Sequence, residues 1–225
     1  MYYESFDQPC RMPTNQVIDA TVWAESWSGY CLDRSSSPVV PWVIPMVVTN
    51  RPLVDPASGA IRLWYRPGFD SGSGPGNTAR LLTLASGSGS TSAVWWSLAV
   101  SPDGSTVSLA CQNGNELVPC LSALVAFQAG NWYLVTLGYS ETNTAIFVDD
   151  AMVASGGGLP AVPAQVVLST SLIVGSGVGG QQAAAGQIDE LAVFSGNRMF
   201  LRMTGSPFGL DPPSKAMALA GPRAL

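Results

Sequence analysis

The 225-residue sequence contains no histidine, and its single lysine is Lys215. The first absence excludes Ser-His-Asp and Cys-His catalysis, which need an imidazole to move the proton. The second leaves the body of the chain without a lysine base, because Lys215 lies in the last stretch. Charge is scarce altogether. Asp, Glu, Lys and Arg make up 11% of residues, against roughly 25% in an ordinary soluble domain. The net charge is −5 with no basic run, so nucleic acid binding has no electrostatic footprint. No apolar stretch approaches the ~18 residues of a membrane span without a polar break. The N-terminal MYYESFDQPC has neither a basic nor an apolar leader region, so no signal peptide is expected there. A GxxxxGK motif followed by Ser or Thr is missing. The glycine-rich run SGSGPGNTA (71–79) precedes a strand pattern rather than a helix, so it reads as a loop and not as a phosphate cradle.

What remains is 47% apolar, enough to build a core. Short alternating segments fill the chain. AIRLWYR (60–66) alternates Ile61, Leu63 and Tyr65 with Arg62, Trp64 and Arg66, the period of a half-buried strand. Further strands are expected at 17–23, 80–86, 92–100, 105–111, 132–139, 143–149, 151–155 and 187–194, with short ones near 165–168 and 171–175. SPDGS (101–105) is a turn, since Pro presets φ and Gly accepts positive φ. Five prolines within residues 38–56 demote any strand there to an edge or an extended arm. No segment shows sustained helical periodicity with caps. The predicted fold is all-β, an antiparallel two-sheet jelly-roll sandwich over residues 17–205. An irregular N-terminal arm (1–16) and a Pro-rich C-terminal tail (206–225) flank it.

The cysteines are Cys10, Cys31, Cys111 and Cys120. An even count fits two disulfides, with three connectivities open. Cys111 and Cys120 flank the hairpin CQNGNELVPC, which favours that pair and leaves Cys10 with Cys31. Four reduced buried thiols are the alternative. No CxxC spacing occurs and histidine is missing, which argues against zinc.

The order of several motifs resembles the laminin G-like, concanavalin A-like jelly-roll superfamily. They are SWSGYCLD, GAIRLWYRP, WWSLAVSPDG, GNWYLVTLGYSETNTAIFVDD and GQIDELAVFSGNR, together spanning roughly residues 20–200. The resemblance implies two face-to-face sheets with binding at loops on one rim. Members are mostly glycan-binding or adhesive modules, some are glycosidases or lyases, and some sit in phage tails and capsids. The chain departs from the pattern at Asp149-Asp150, where the family usually has Asp-Gly, so the turn type is expected to differ.

Glycosidases of the related fold place carboxylates at alternate positions of one strand, where they share a face. In QIDELAVF the acids Asp189 and Glu190 are adjacent and point oppositely, so the chain is not expected to be an enzyme. Alternation puts Asp189 beside Leu191 and Val193, part-buried, as a structural latch to Arg62 or Arg66. No cofactor is expected. Calcium stays open, with Asp149, Asp150 and Asp103 as ligand candidates because turns project them at a rim; Asp is equally a good turn residue. Trp42, Trp95, Tyr30 and Trp27 are candidate platforms for a sugar face, although strand aromatics more often belong to a core. In the Trp95-Trp96 pair one ring is expected inside and one outside. The composition supports a non-catalytic structural or adhesive subunit of a larger assembly, such as a phage or virion surface protein that decorates a capsid or tail. Its partners would be identical subunits or other assembly proteins, and surface glycans. A secreted or cell-surface carbohydrate-binding module is the second reading, and a glycoside hydrolase or lyase the third.

Overall fold

The computed structural model describes residues 2–4, 23–26, 29–35, 39–48, 51–52, 54–87, 92–114 and 116–195. Within them lie sixteen strands, numbered along the chain, of which fourteen build two antiparallel sheets packed as a jelly-roll sandwich. The larger sheet runs in the order β14 (Ala151–Gly156), β13 (Thr144–Val148), β12 (Tyr133–Tyr139), β7 (Gly59–Pro67), β16 (Gly186–Ser195), β3 (Gly29–Asp33) and β2 (Trp23–Ser26). Its eighth strand, β1 (Tyr2–Glu4), pairs with the second half of β16, so part of the expected irregular arm is a strand. The smaller sheet runs β11 (Glu116–Leu124), β10 (Thr106–Asn113), β9 (Ala93–Val100), β8 (Ala79–Ser86), β15 (Thr170–Val174) and β4 (Trp42–Pro45). A two-stranded ribbon joins β5 (Val47–Val48) to β6 (Arg51–Pro52).

Alternation decides which face each strand buries. Ile61, Leu63 and Tyr65 on β7 are fully buried, and Arg62, Trp64 and Arg66 between them are not. Val135, Leu137 and Tyr139 on β12 and Ile146 on β13 continue the same inner face. Trp42, Leu82, Leu84, Trp96, Leu98, Val107 and Leu109 meet it from the smaller sheet. Burying a side chain of this size contributes roughly 1.5–3 kcal/mol, so this inter-sheet layer carries the fold. The proline-rich 38–56 supplies β4, which is an edge strand as its prolines require.

Two local expectations are corrected. Residues 164–169 form a 3-10 helix, Ala164–Ser169, instead of a strand. Pro163 sets its entry with φ −58, and the Ser169 and Thr170 hydroxyls close it by donating to the Val166 carbonyl. On β16 the alternation is reset by a bulge. Glu190 takes φ 52, and pairing with β7 jumps between Asp189 and Ala192. Ile188, Leu191 and Val193 therefore enter the inner core. Asp189 faces away from it, opposite Trp64, and is still fully buried. Its carboxylate accepts the Glu190 N–H at 2.8 Å. Arg66 is engaged elsewhere, donating to the Gly130 carbonyl and to Gln187.

The strand order gathers five loops at one rim: 68–78, 101–105, 125–132, the turn at 149–150, and 175–185.

Candidate functional site

The rim is built from the glycine-rich loop outward. Asp70 starts it by accepting the Ser73 and Gly74 N–H groups on its carbonyl. The loop then docks on the 101–105 turn. Gly72 and Gly76 donate to the carbonyls of Asp103 and Pro102 at 2.8 and 2.9 Å, and the Ser71 hydroxyl donates to Gly104 O at 2.7 Å. A side chain at Gly74 would not fit, because its Cβ would lie 2.2 Å from Pro102 O. The run that the sequence marks only as a loop is therefore a pinned wall.

The facing wall is the 175–185 loop. Gly175 N–H donates to Leu81 O, Val39 N–H to Gly180 O, Arg80 N–H to Gln182 O, and the buried Tyr65 hydroxyl to Ala184 O. Desolvation pushes the Tyr65 phenol far above its usual range, so it stays a neutral donor. Gln182 and Ala185 hold φ of 52 and 54. Left-handed conformations of this kind cost non-glycine residues ~1 kcal/mol or more and cluster at functional sites. Beneath the loop lies Arg34, 1% exposed. Its Nη1 donates to Val40 O at 2.8 Å, its Nε has no partner among the described residues, and burial lowers its pKa to about 10.

Between these walls is a cleft of about 490 Å³, lined by Ser35, Pro75–Thr78, Pro102, Gln181–Ala183 and Ala185. This is within the ~300–1,000 Å³ typical of small-ligand sites. Its polar lining is neutral. Asn77, Thr78 and Gln181 make no side-chain hydrogen bond to the described residues. A second, larger hollow of about 610 Å³ lies nearby, lined by Asp70, Ser71, Ala126–Ala129 and Asn131. Its polar groups are mostly spent on each other. Asp70 Oδ1 accepts the Ala129 N–H, the Ser71 hydroxyl takes the Phe127 N–H, and Asn131 donates to Gln128 Oε1.

The residues proposed from sequence fall elsewhere. Trp42 is 1% exposed in the inter-sheet core, so no face of its ring is open to a sugar. Trp96 is buried, and Trp95 is half-buried with its indole N–H on the Ser86 hydroxyl at 3.2 Å. Neither lines the cleft. Tyr30 belongs to β3, and Trp27 lies outside the described residues.

The three candidate metal ligands sit on the rim but serve its turns. Asp103 accepts from both the Ser101 and Ser105 hydroxyls and from the Ser105 N–H, which lower its pKa to about 2. Asp149 Oδ1 takes the Leu134 N–H at 2.9 Å. Asp150 lies close enough to Arg62 to favour that guanidinium's charge against desolvation. Asp149 and Asp150 adopt φ 50 and 63. The two-residue turn thus has the doubly left-handed geometry of a tight hairpin, although neither residue is glycine. Among the described residues, no three of His, Cys, Asp and Glu converge on a metal position.

A disulfide joins Cys111 to Cys120 across the β10–β11 hairpin, with 6.1 Å between Cα atoms. Cys31 is buried in β3, and Cys10 lies outside the described residues. No described helix is long and apolar enough to cross a membrane.

Comparison with known proteins adds a family and a fold. Residues 45–198 match the concanavalin A-like lectin/glucanases superfamily. No curated protein sequence matches. Among solved structures, domain 4 of an extracellular arabinanase from Geobacillus stearothermophilus, in complex with arabinotriose, has a TM-score of 0.51 at 14% identity, covering 77% of this chain and 74% of its own. The Ruminococcus gnavus IT-sialidase CBM40, bound to α2,3-sialyllactose, has a TM-score of 0.46 at 14% identity, covering 66% of this chain and 83% of its own. A Caenorhabditis elegans galectin has a TM-score of 0.42 at 15% identity, covering 69% and 91%.

Proposed function

Because the chain belongs to the concanavalin A-like lectin/glucanases superfamily, we propose that it is a non-catalytic carbohydrate-binding domain that works outside the cell. The observation that carries this reading is the rim cleft. Uncommitted amide and hydroxyl groups of Asn77, Thr78 and Gln181 converge there on walls already fixed by backbone hydrogen bonds. Walls ordered in advance spare a ligand the entropy of ordering them. The arabinanase domain's arabinotriose complex gives the reading its first test ligand. The Cys111–Cys120 disulfide supports an oxidising, extracellular setting. Against catalysis stands the bulge of β16, which leaves Asp189 buried and turned from the core beside the half-buried Glu190.

Calorimetric titration of the protein with arabinotriose and a glycan array test the reading. Binding that is lost in the Asn77→Ala/Gln181→Ala double variant supports it; no hit on the array together with no heat sinks it. Turnover on a polysaccharide panel would overturn the non-catalytic part.

A second reading is a structural or adhesive subunit of a larger assembly, such as a virion surface. It is favoured by β14, an edge strand of the larger sheet with neither charge nor proline, whose Met152 is 56% exposed.

A further inference from the structure

Resting on the reading of the rim cleft as a sugar site, we infer that it selects uncharged sugars, through a donor fixed at Gln182 and an acceptor fixed at Ser35. Arginine has donors and no acceptor. The Arg80 Nε–H therefore fixes the Gln182 amide with its Oε1 toward Arg80, while the Arg80 N–H holds the same residue's carbonyl at 3.0 Å. Both protons of the Gln182 NH₂ remain for the cleft. Ser35 is constrained in the opposite sense. Its hydroxyl donates to Asp33 Oδ1 at 2.6 Å and its N–H to the same oxygen at 2.8 Å. The hydroxyl proton is thus committed, and only lone pairs face outward. Both residues line one cleft.

A sugar hydroxyl donates and accepts, so a sugar satisfies both groups with neighbouring hydroxyls. A carboxylate or phosphate only accepts. It would meet the Ser35 lone pairs, which offer it no proton, because the hydroxyl proton is held by Asp33. Arg80 stands behind Gln182 on the other wall, and Arg34 is buried with its Nη1 on Val40 O, so neither supplies a proton at Ser35. An ammonium group only donates, and would meet the Gln182 amide protons with Arg80 behind. Charge of either sign is mismatched at one wall, and a polar group that the bound ligand shields from water and leaves unpaired costs affinity. Among the described residues no aromatic ring lines the cleft, so the grip is by hydrogen bonds and not by stacking.

The test titrates the full chain with matched neutral and acidic trisaccharides, maltotriose and arabinotriose against trigalacturonic acid. At least one neutral sugar is expected to bind, with the acid about tenfold weaker or more. Gln182→Glu retains an oxygen for Arg80 and removes the amide protons. It is expected to weaken neutral-sugar binding about tenfold with an unchanged melting temperature, and Ser35→Ala to weaken it several-fold. Equal or tighter binding of the acid overturns the selectivity and leaves sugar binding standing. Neutral-sugar binding untouched by both variants, with melts unchanged, overturns the assignment to Gln182 and Ser35. Binding of none of the three sugars overturns the sugar reading itself, and this inference with it.

Discussion

Single residues at the rim show how this chain handles its few charges. Asp149 and Asp150 both occupy the left-handed region, but only Asp149 is compensated by a hydrogen bond, from the Leu134 N–H to its carboxylate; the half-exposed Arg62 gives Asp150 a weaker, solvent-screened attraction. Asp150→Gly is therefore expected to raise stability by about 1 kcal/mol, read as a higher denaturant midpoint with an unchanged slope. Asp149→Gly removes the cap along with the strain, and should gain less or lose. Asp103 differs in being held by pH. Hydrogen bonds from Ser101 and Ser105 depress its folded pKa to about 2, below the unfolded carboxylate. Its contribution is present above the unfolded pKa near 4 and is lost as pH falls through about 2. Thermal melts should show Asp103→Ala less stable than wild type at pH 7, with the gap narrowing below about pH 4 and closing near pH 2. An undiminished gap at pH 2 would refute the carboxylate as its cause. These turns were legible from sequence as turns, because Asp and Gly carry that chemistry locally. Which of them also bind anything was not, because a carboxylate spent on its own turn and one held ready for a metal have the same sequence.

At the level of elements, β7 and β10 alternate because one face of each is buried against the opposite sheet, and β8, β9, β12, β13 and β16 could be read as short apolar runs bounded by turn residues. The failures have local causes. β11 (ELVPCLSAL) is a free edge with Pro119 and a register shift opposite Leu109 and Ala110, so its period is broken. The bulge at Glu190 inverted the expected face of Asp189 and its neighbours. The cleft was not legible, because Ser35, Asn77 and Gln182 are far apart in sequence and meet only when three loops dock. That docking depends on Gly180, at φ 78, where an added Cβ would lie 1.6 Å from Val39 O. Gly180→Ala should displace the 175–185 loop and abolish ligand binding, while also lowering the melting temperature. The β10–β11 hairpin allows a separate check. Replacing Cys111 and Cys120 together by Ala should cost about 2–3 kcal/mol for so short a closed loop, measured by denaturant titration. No loss would mean that the hairpin's hydrogen bonds alone already confine the unfolded chain.

At the level of the whole molecule the choice lies between a domain that acts singly and one that acts in an array. Large exposed apolar residues occur on different elements: Val40 before β4, Val118 and Leu124 on β11, Met152 on β14, and Leu168 in the 3-10 helix. Scattered single residues of this kind are ordinary on a monomer, whereas an interface needs a contiguous patch. The free edges differ in their protection. Both β11 and β14 have a register shift in their pairing, but β11 also carries Pro119, which discourages pairing with another strand. β14 has neither charge nor proline, and both its ends are exposed. If copies associate through the described residues, β14 is the edge with backbone groups to offer. Light scattering across a hundredfold concentration range is expected to return the 23.4 kDa monomer throughout. A mass that grows with concentration, and reverts in Met152→Lys on β14, would instead favour the assembly reading. It would also place the join on the large sheet, on a different strand from any that borders the sugar cleft.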